Sequence, residues 1–248
     1  MKKVFFSFIA TLGLTYAGFA QNLQDILQKN NIRIEESGPA EPQPNSFTGT
    51  VTLQLQTSEK PGEQIQMTMR FKKWQTTVET TLDQTQSSRM IFDHQNHKMT
   101  VLLDGGGKGK SGKTGIVTKI PNLSVDAGQD NNAVKIEKTS EKKNILGYEC
   151  TKWIITTDDG VAETWVTDAI RFNPFKAMGA SMKNRSNQYI DQVDGFAMET
   201  VFVDNRNYTT TMKVTAIDTK EPDAVHFSTD GYQLMDMSNN VNFMNPGR

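Results

Sequence analysis

Residues 107–114 read Gly-Lys-Gly-Lys-Ser-Gly-Lys-Thr and fit the spacing G-x-x-x-x-G-K-[ST], in which loop amides and a lysine cradle nucleotide phosphates. That device needs a helix next, because the helix N-terminus supplies further donors to the phosphates. Here the chain continues Gly115-Ile116-Val117-Thr118-Lys119-Ile120-Pro121, which is β-branched and stopped by proline. Asp104 to Gly115 is therefore expected to be a mobile surface loop, and no nucleotide partner is expected. Asp93, His94 and His97 offer metal-ligand chemistry, but residues three apart on a strand face opposite ways. A hairpin turn between Met90-Ile91-Phe92 and Met99 to Leu103 accounts for them, and His226 lies far off in sequence.

Other reactive side chains give no catalytic constellation. Cys150 is the sole cysteine, so no internal disulfide can form, and its alternating surroundings predict a buried thiol acting as a small hydrophobe. The sequence has no G-x-S-x-G elbow, no H-E-x-x-H and no dinucleotide fingerprint. Asp158 and Asp159 sit where a turn is expected, and Asp126 to Asn132 lacks the spacing of a calcium loop. No catalytic residue, metal site or cofactor is assigned. Methionine is plentiful, at 12 residues, including Met67 with Met69 and Met235 with Met237. Flexible thioethers can fill a core, line an adaptable apolar cavity or hold copper(I).

The first twenty residues bear on compartment. Lys2 and Lys3 precede an apolar run from Val4 to Leu14 and the small-residue stretch Ala17-Gly18-Phe19-Ala20, the layout of a secretory signal peptide cleaved after Ala20. The run is shorter than the roughly 20 residues needed to span a bilayer. A periplasmic or secreted protein beginning at Gln21 is expected, with no integral membrane segment left after cleavage. Without Lys2 and Lys3 the 27 basic residues fall to 25 against 28 acidic ones, a net charge of −3. That balance excludes a general attraction to nucleic acid.

Hydrophobic periodicity predicts mostly strands. From Thr50 to Gln56, Val51, Leu53 and Leu55 alternate with polar residues, and from Gln64 to Lys72, Ile65, Met67, Met69 and Phe71 do the same. Apolar parity switches across Lys72-Lys73, which marks a turn or bulge. Val134-Lys135-Ile136, Ile145 to Thr157, Val161 to Thr167, Phe196 to Asp204, Tyr208 to Ile217 and Phe227 to Met237 extend the meander. Asp158-Asp159-Gly160 supplies a hairpin turn. Short helices are expected at Asn22 to Asn31 and after Asn173-Pro174, where Phe175, Met178 and Met182 share a side. The organisation expected is a signal peptide (1–20), a helix and Pro-rich arm (21–46), one β-rich domain (47–237) and an Asn-rich tail (238–248).

Three stretches carry a resemblance: Lys142-Lys143-Asn144-Ile145-Leu146-Gly147-Tyr148-Glu149-Cys150-Thr151-Lys152-Trp153 with Glu163 to Asp168, the ending Phe227-Ser228-Thr229-Asp230-Gly231-Tyr232, and the opening Phe47-Thr48-Gly49-Thr50-Val51. Together they resemble an uncharacterised domain-of-unknown-function family of secreted Gram-negative envelope proteins. That family is similar in architecture to the periplasmic lipoprotein-carrier superfamily (LolA/LolB-like). The resemblance implies a mainly β fold, an antiparallel half-open barrel with a few short helices plugging its concave apolar side. It carries over no catalytic residue, and the Pro-rich arm departs from a carrier's opening.

The function expected is a non-enzymatic protein holding an apolar ligand, a lipid or a lipidated partner, in a concave cavity. Leu53, Leu55, Met67, Met69, Phe71, Phe92, Met99 and Val101 are its candidate lining. The alternative is an envelope structural or protein-interaction module whose apolar face is plain core.

Overall fold

The computed structural model describes residues 32–34, 44–59, 62, 64–81, 87–104, 113–120, 123–125, 135–170, 193 and 195–238. Strands account for nearly all of them: β1 (Ile32–Ile34), β2 (Gly49–Thr57), β3 (Gln64–Lys72), β4 (Gln75–Thr81), β5 (Ser87–Asp93), β6 (Lys98–Asp104) and β7 (Thr114–Lys119). The rest are β8 (Leu123–Val125), β9 (Lys135–Ile145), β10 (Tyr148–Thr157), β11 (Gly160–Thr167), β12 (Phe196–Asp204), β13 (Thr209–Asp218) and β14 (Gln233–Asp236). Twelve strands form one sheet in the order β14-β7-β6-β5-β4-β3-β2-β13-β12-β11-β10-β9, while β1 and β8 make a separate antiparallel pair. Every neighbour in the large sheet is antiparallel except β14, which runs parallel to β7.

Register follows from the alternation. Val51 lies opposite Met69, Leu53 opposite Met67 and Leu55 opposite Ile65, so two apolar rows meet on one face. A slip of one residue would turn all of them to water. The parity switch resolves as a turn at Lys73-Trp74, after which Thr76, Val78 and Thr80 continue the same face opposite Phe71, Met69 and Met67. The other face carries charge pairs such as Arg70–Glu79 at 2.7 Å, Lys143–Glu199 at 2.7 Å and Lys152–Glu163 at 3.0 Å. Sheets this wide curl because each strand twists against the next. The result is the expected mainly β, half-open architecture, with two free edges instead of a closed barrel. Both edges are guarded: β9 bears Lys135, Glu137, Lys138, Glu141 and Lys142, and β14 has only 4 residues.

Three expectations need correction. The strand anticipated over Ile145 to Thr157 is broken by a two-residue turn, with Leu146 at φ 51° and Gly147 at φ 86°. Such turns normally announce themselves as Asn-Gly or Asp-Gly, and a leucine hides this one. Leucine in the left-handed region costs about 1–2 kcal/mol, whereas asparagine visits it readily. Leu146→Asn is therefore expected to raise the denaturant midpoint, by about 1 kcal/mol in stability. An unchanged or lower midpoint would contradict the turn.

The second correction concerns the ending. Phe227 to Met237 is not one strand: a 3-10 turn occupies Ala224–Phe227, capped by the Asp223 carboxylate, and only Gln233–Asp236 is extended. Between β13 and β14 the chain forms a strap over the charged face, with the 3-10 turn packed over β4. The third is Ile32–Ile34, an unanticipated strand. The helices expected at Asn22 to Asn31 and around Phe175, Met178 and Met182 lie outside the described residues, as do the signal peptide and most of the Gly- and Lys-rich loop. Thr114, where the phosphate-loop motif would require a helix, starts strand β7.

Candidate functional site: the buried apolar face of the sheet

The eight candidate lining residues all fall on one face. Leu53 and Leu55 project from β2, Met67, Met69 and Phe71 from β3, Phe92 from β5, and Met99 and Val101 from β6, linked by direct cross-strand pairing through Thr76, Val78 and Thr80 of β4. Six of them belong to one packed cluster, Met99 packs against it, and Val101 is buried on the same face. Phe71 is fully buried and meets Phe47 edge to face, with centroids 5.8 Å apart. Cys150, also fully buried, belongs to the same cluster, and its Sγ donates weakly to the Tyr148 carbonyl at 3.4 Å. Burial pushes that thiol above its ordinary pKa, so it stays neutral and inert, as expected of a structural cysteine.

Sequence reasoning missed part of this face. Met90, Met198 and Met212 join Met67, Met69 and Met99 in or against the cluster. Met198 and Met212 sit in strands that were anticipated, so parity along β12 and β13 could have found them. A smaller cluster of Ile155, Ala162, Val166 and Val193 lies towards β10 and β11.

His94, weighed as a metal ligand, instead serves the rim of the face. Its ring stacks on Phe92 at 6.5 Å, and its Nε2 lies 2.9 Å from Thr76 Oγ1. Asn45 ties the preceding arm to the same place, its Nδ2 donating to Lys72 O, Gln75 O and Thr76 Oγ1. Burial lowers the pKa of His94; Asp93 opposes that and His97 reinforces it. The folded protein thus disfavours the imidazolium. Its contribution to stability is complete above about pH 6.5, the unfolded value, and is lost as pH falls towards the lower folded value. His94→Gln should shrink the fall in Tm between about pH 7.5 and about pH 5. An equal fall in both proteins would refute that role. Among the described residues no three His, Cys, Asp or Glu side chains gather as a metal site.

On the opposite face, the motif Phe227-Ser228-Thr229-Asp230-Gly231-Tyr232 proves to be a clasp. Arg89 Nη1 donates to Val225 O at 3.3 Å and His226 O at 3.1 Å, and Arg89 Nη2 donates to Tyr232 Oη at 3.4 Å. Tyr232 in turn donates to Asp104 Oδ1 at 2.6 Å, while Lys72 sits over the Phe227 ring at 5.3 Å. Burial, then the Asp104 bond, raises the Tyr232 pKa, which keeps it a donor. These are fastening interactions, and none is arranged around a reacting atom.

The molecule is thus an open antiparallel β-sheet protein with one continuous apolar face. The chain belongs to the family described as domain of unknown function (DUF4412), which it matches over residues 47–230. No curated protein sequence matches it. Among solved structures it is similar to PNGF-II, with 14% identity over 80% of this chain and a TM-score of 0.40; the chain spans 33% of that protein's length. It is also similar to an uncharacterised conserved protein from Thermus thermophilus, with 11% identity, a TM-score of 0.45, and coverage of 88% of this chain and 98% of that one. A third is the LolA superfamily protein NE2245 from Nitrosomonas europaea, with 9% identity, a TM-score of 0.29, and coverage of 84% and 97%. The assignment of the architecture stands on the strand pairing itself.

Proposed function

We propose that this protein is exported to the periplasm or beyond and works without catalysis, holding an apolar ligand against the buried face of its sheet. The ligand class is an acyl chain, free or carried by a lipidated protein. One observation supports this above others: methionines from β3, β5, β6, β12 and β13 converge on a single face. Unbranched, polarizable side chains adapt to a variable apolar guest better than branched ones do. Charge pairs such as Arg70–Glu79 and Lys152–Glu163 lie on the far face, away from the methionines. Native mass spectrometry and solvent extraction of the purified protein should reveal a bound lipid. A fluorescent fatty acid, cis-parinaric acid, should bind the stripped protein. If no lipid co-purifies and the probe is ignored, the face is plain core and this reading fails.

A second reading, an interaction module, draws on a different surface. Val161 and Val203 are direct cross-strand partners on the charged face, yet are 40% and 38% exposed. An apolar pair left wet there would suit contact with another protein.

A further inference from the structure

The strap over the charged face is itself wet. The 3-10 turn Ala224–Phe227 contains no buried residue, and all four residues of β14 are exposed. The sheet below it is dry. Thr77, Ile91 and Leu102 are 0%, 5% and 1% exposed, although their parity turns them to the charged face. Leu234 lies against Leu102 over Gly115, where an added Cβ would meet both leucines at 2.7 Å. A cover with no buried residue of its own belongs to the part of a fold that opens before the rest.

One cation holds the middle of the strap. The hydrogen bonds of Arg89 to Val225 O, His226 O and Tyr232 Oη all go to uncharged acceptors, and its Nε is buried without a partner. Glu79 is directly opposite Arg89 in the ladder, but it is committed to Arg70 at 2.7 Å. His226 therefore meets Arg70 from β3, Glu79 from β4, Arg89 from β5 and the exposed Asp223 of the strap itself. Farther out, Lys72 pairs with Glu221 at 3.4 Å, Lys113 lies over the Tyr232 ring at 5.3 Å, and Asp104 accepts the Tyr232 hydroxyl. Burial, then Arg70 and Arg89, lowers the His226 pKa, against Glu79 and Asp223. The closed strap thus prefers the neutral ring. Closure is fully favoured above about pH 6.5, the value of a free histidine, and is lost as pH falls below it.

We propose that the strap is an acid-released latch, in which proton uptake by His226 places a third cation beside Arg70 and Arg89 and frees residues 224–236 from the charged face. Release breaks the β14–β7 ladder, uncovers Ile91 and Leu102, and makes β7 the edge of the sheet. The methionine-bearing face is not involved, so the latch is independent of whether that face holds a ligand.

Amide hydrogen exchange on the whole protein, corrected for the intrinsic effect of pH, reads the latch. Gln233 and Met237 donate to Lys113 O and Val117 O, so the peptide that carries them reports closure. From about pH 7.5 to about pH 5.5 its opening constant should rise about threefold or more, while β11 keeps its protection. One pH unit below the value of a free histidine, a single ring can supply at most about a tenfold rise. His226→Gln should abolish the rise. An unchanged β14 peptide, an equal rise in β11, or a rise that persists in His226→Gln overturns the latch. If glutamine fails to seat the strap, leaving β14 open at both pH values, the ring of His226 in unmutated protein decides by NMR titration. A midpoint below about 6.5 that coincides with β14 opening supports the latch, and any other midpoint overturns it.

Discussion

Phe71→Ala is expected to cost about 3–5 kcal/mol, enough to unfold a domain of ordinary stability. The ring is fully buried where β3 meets the opening of β2, edge-on to Phe47, and opposite Gly49 and Thr76. Those neighbours have little freedom to collapse into the void. An ideal Cβ on Gly49 would lie 2.4 Å from the Asp218 carbonyl oxygen, so backbone already crowds that side. Truncation therefore leaves a cavity in addition to the lost transfer free energy. Urea midpoints of the two proteins measure the effect. A loss below about 1 kcal/mol would mean that Phe71 borders free space instead of packed core.

That distinction matters because alternation alone named Phe71 and seven other residues as a possible lining. Alternation reports which face a residue occupies. It does not say whether that face meets a ligand or more protein. The structure puts all eight on one face, as parity along β2, β3, β5 and β6 requires. That Met69 is 2% exposed while Met235, on the same face, is 52% exposed was invisible, because it depends on strand order. β14 pairs with β7 across more than a hundred residues of chain, and parallel pairing leaves no local turn to read. Met235 could be placed beside Ile116 only once that register was known. The hairpin at Leu146-Gly147 was missed for another reason: a leucine holds the left-handed position where asparagine would have signalled it. The strap was half legible. Its motif is distinctive in the sequence, but that Tyr232 reaches Asp104 and Arg89 follows from the crossover and from nothing local.

Gly160→Ala should be about as damaging as the loss of Phe71, through backbone and not through a cavity. The Asp158-Asp159-Gly160 stretch signalled a hairpin, and the turn does join β10 to β11. What the turn residues did not disclose is the closeness of β12. Gly160 has φ 151°, which side-chain-bearing residues rarely adopt, and an added Cβ would lie 2.1 Å from the Val203 carbonyl oxygen and 2.9 Å from Asp204 Cα. Neither atom is the free end of a flexible side chain, so β11 and β12 must part at this end. Backbone strain of about 1–3 kcal/mol and steric overlap of about 1–3 kcal/mol together predict roughly 2–6 kcal/mol of destabilisation. Yet Gly160 leads into the smaller cluster around Ile155 and Ala162, away from Met67, Met69 and Phe71 in the larger one. The fraction of Gly160→Ala that remains folded should therefore bind cis-parinaric acid with wild-type affinity. A variant at Gly160 that stays stable but loses the probe would place the guest at the β10–β12 end of the sheet instead.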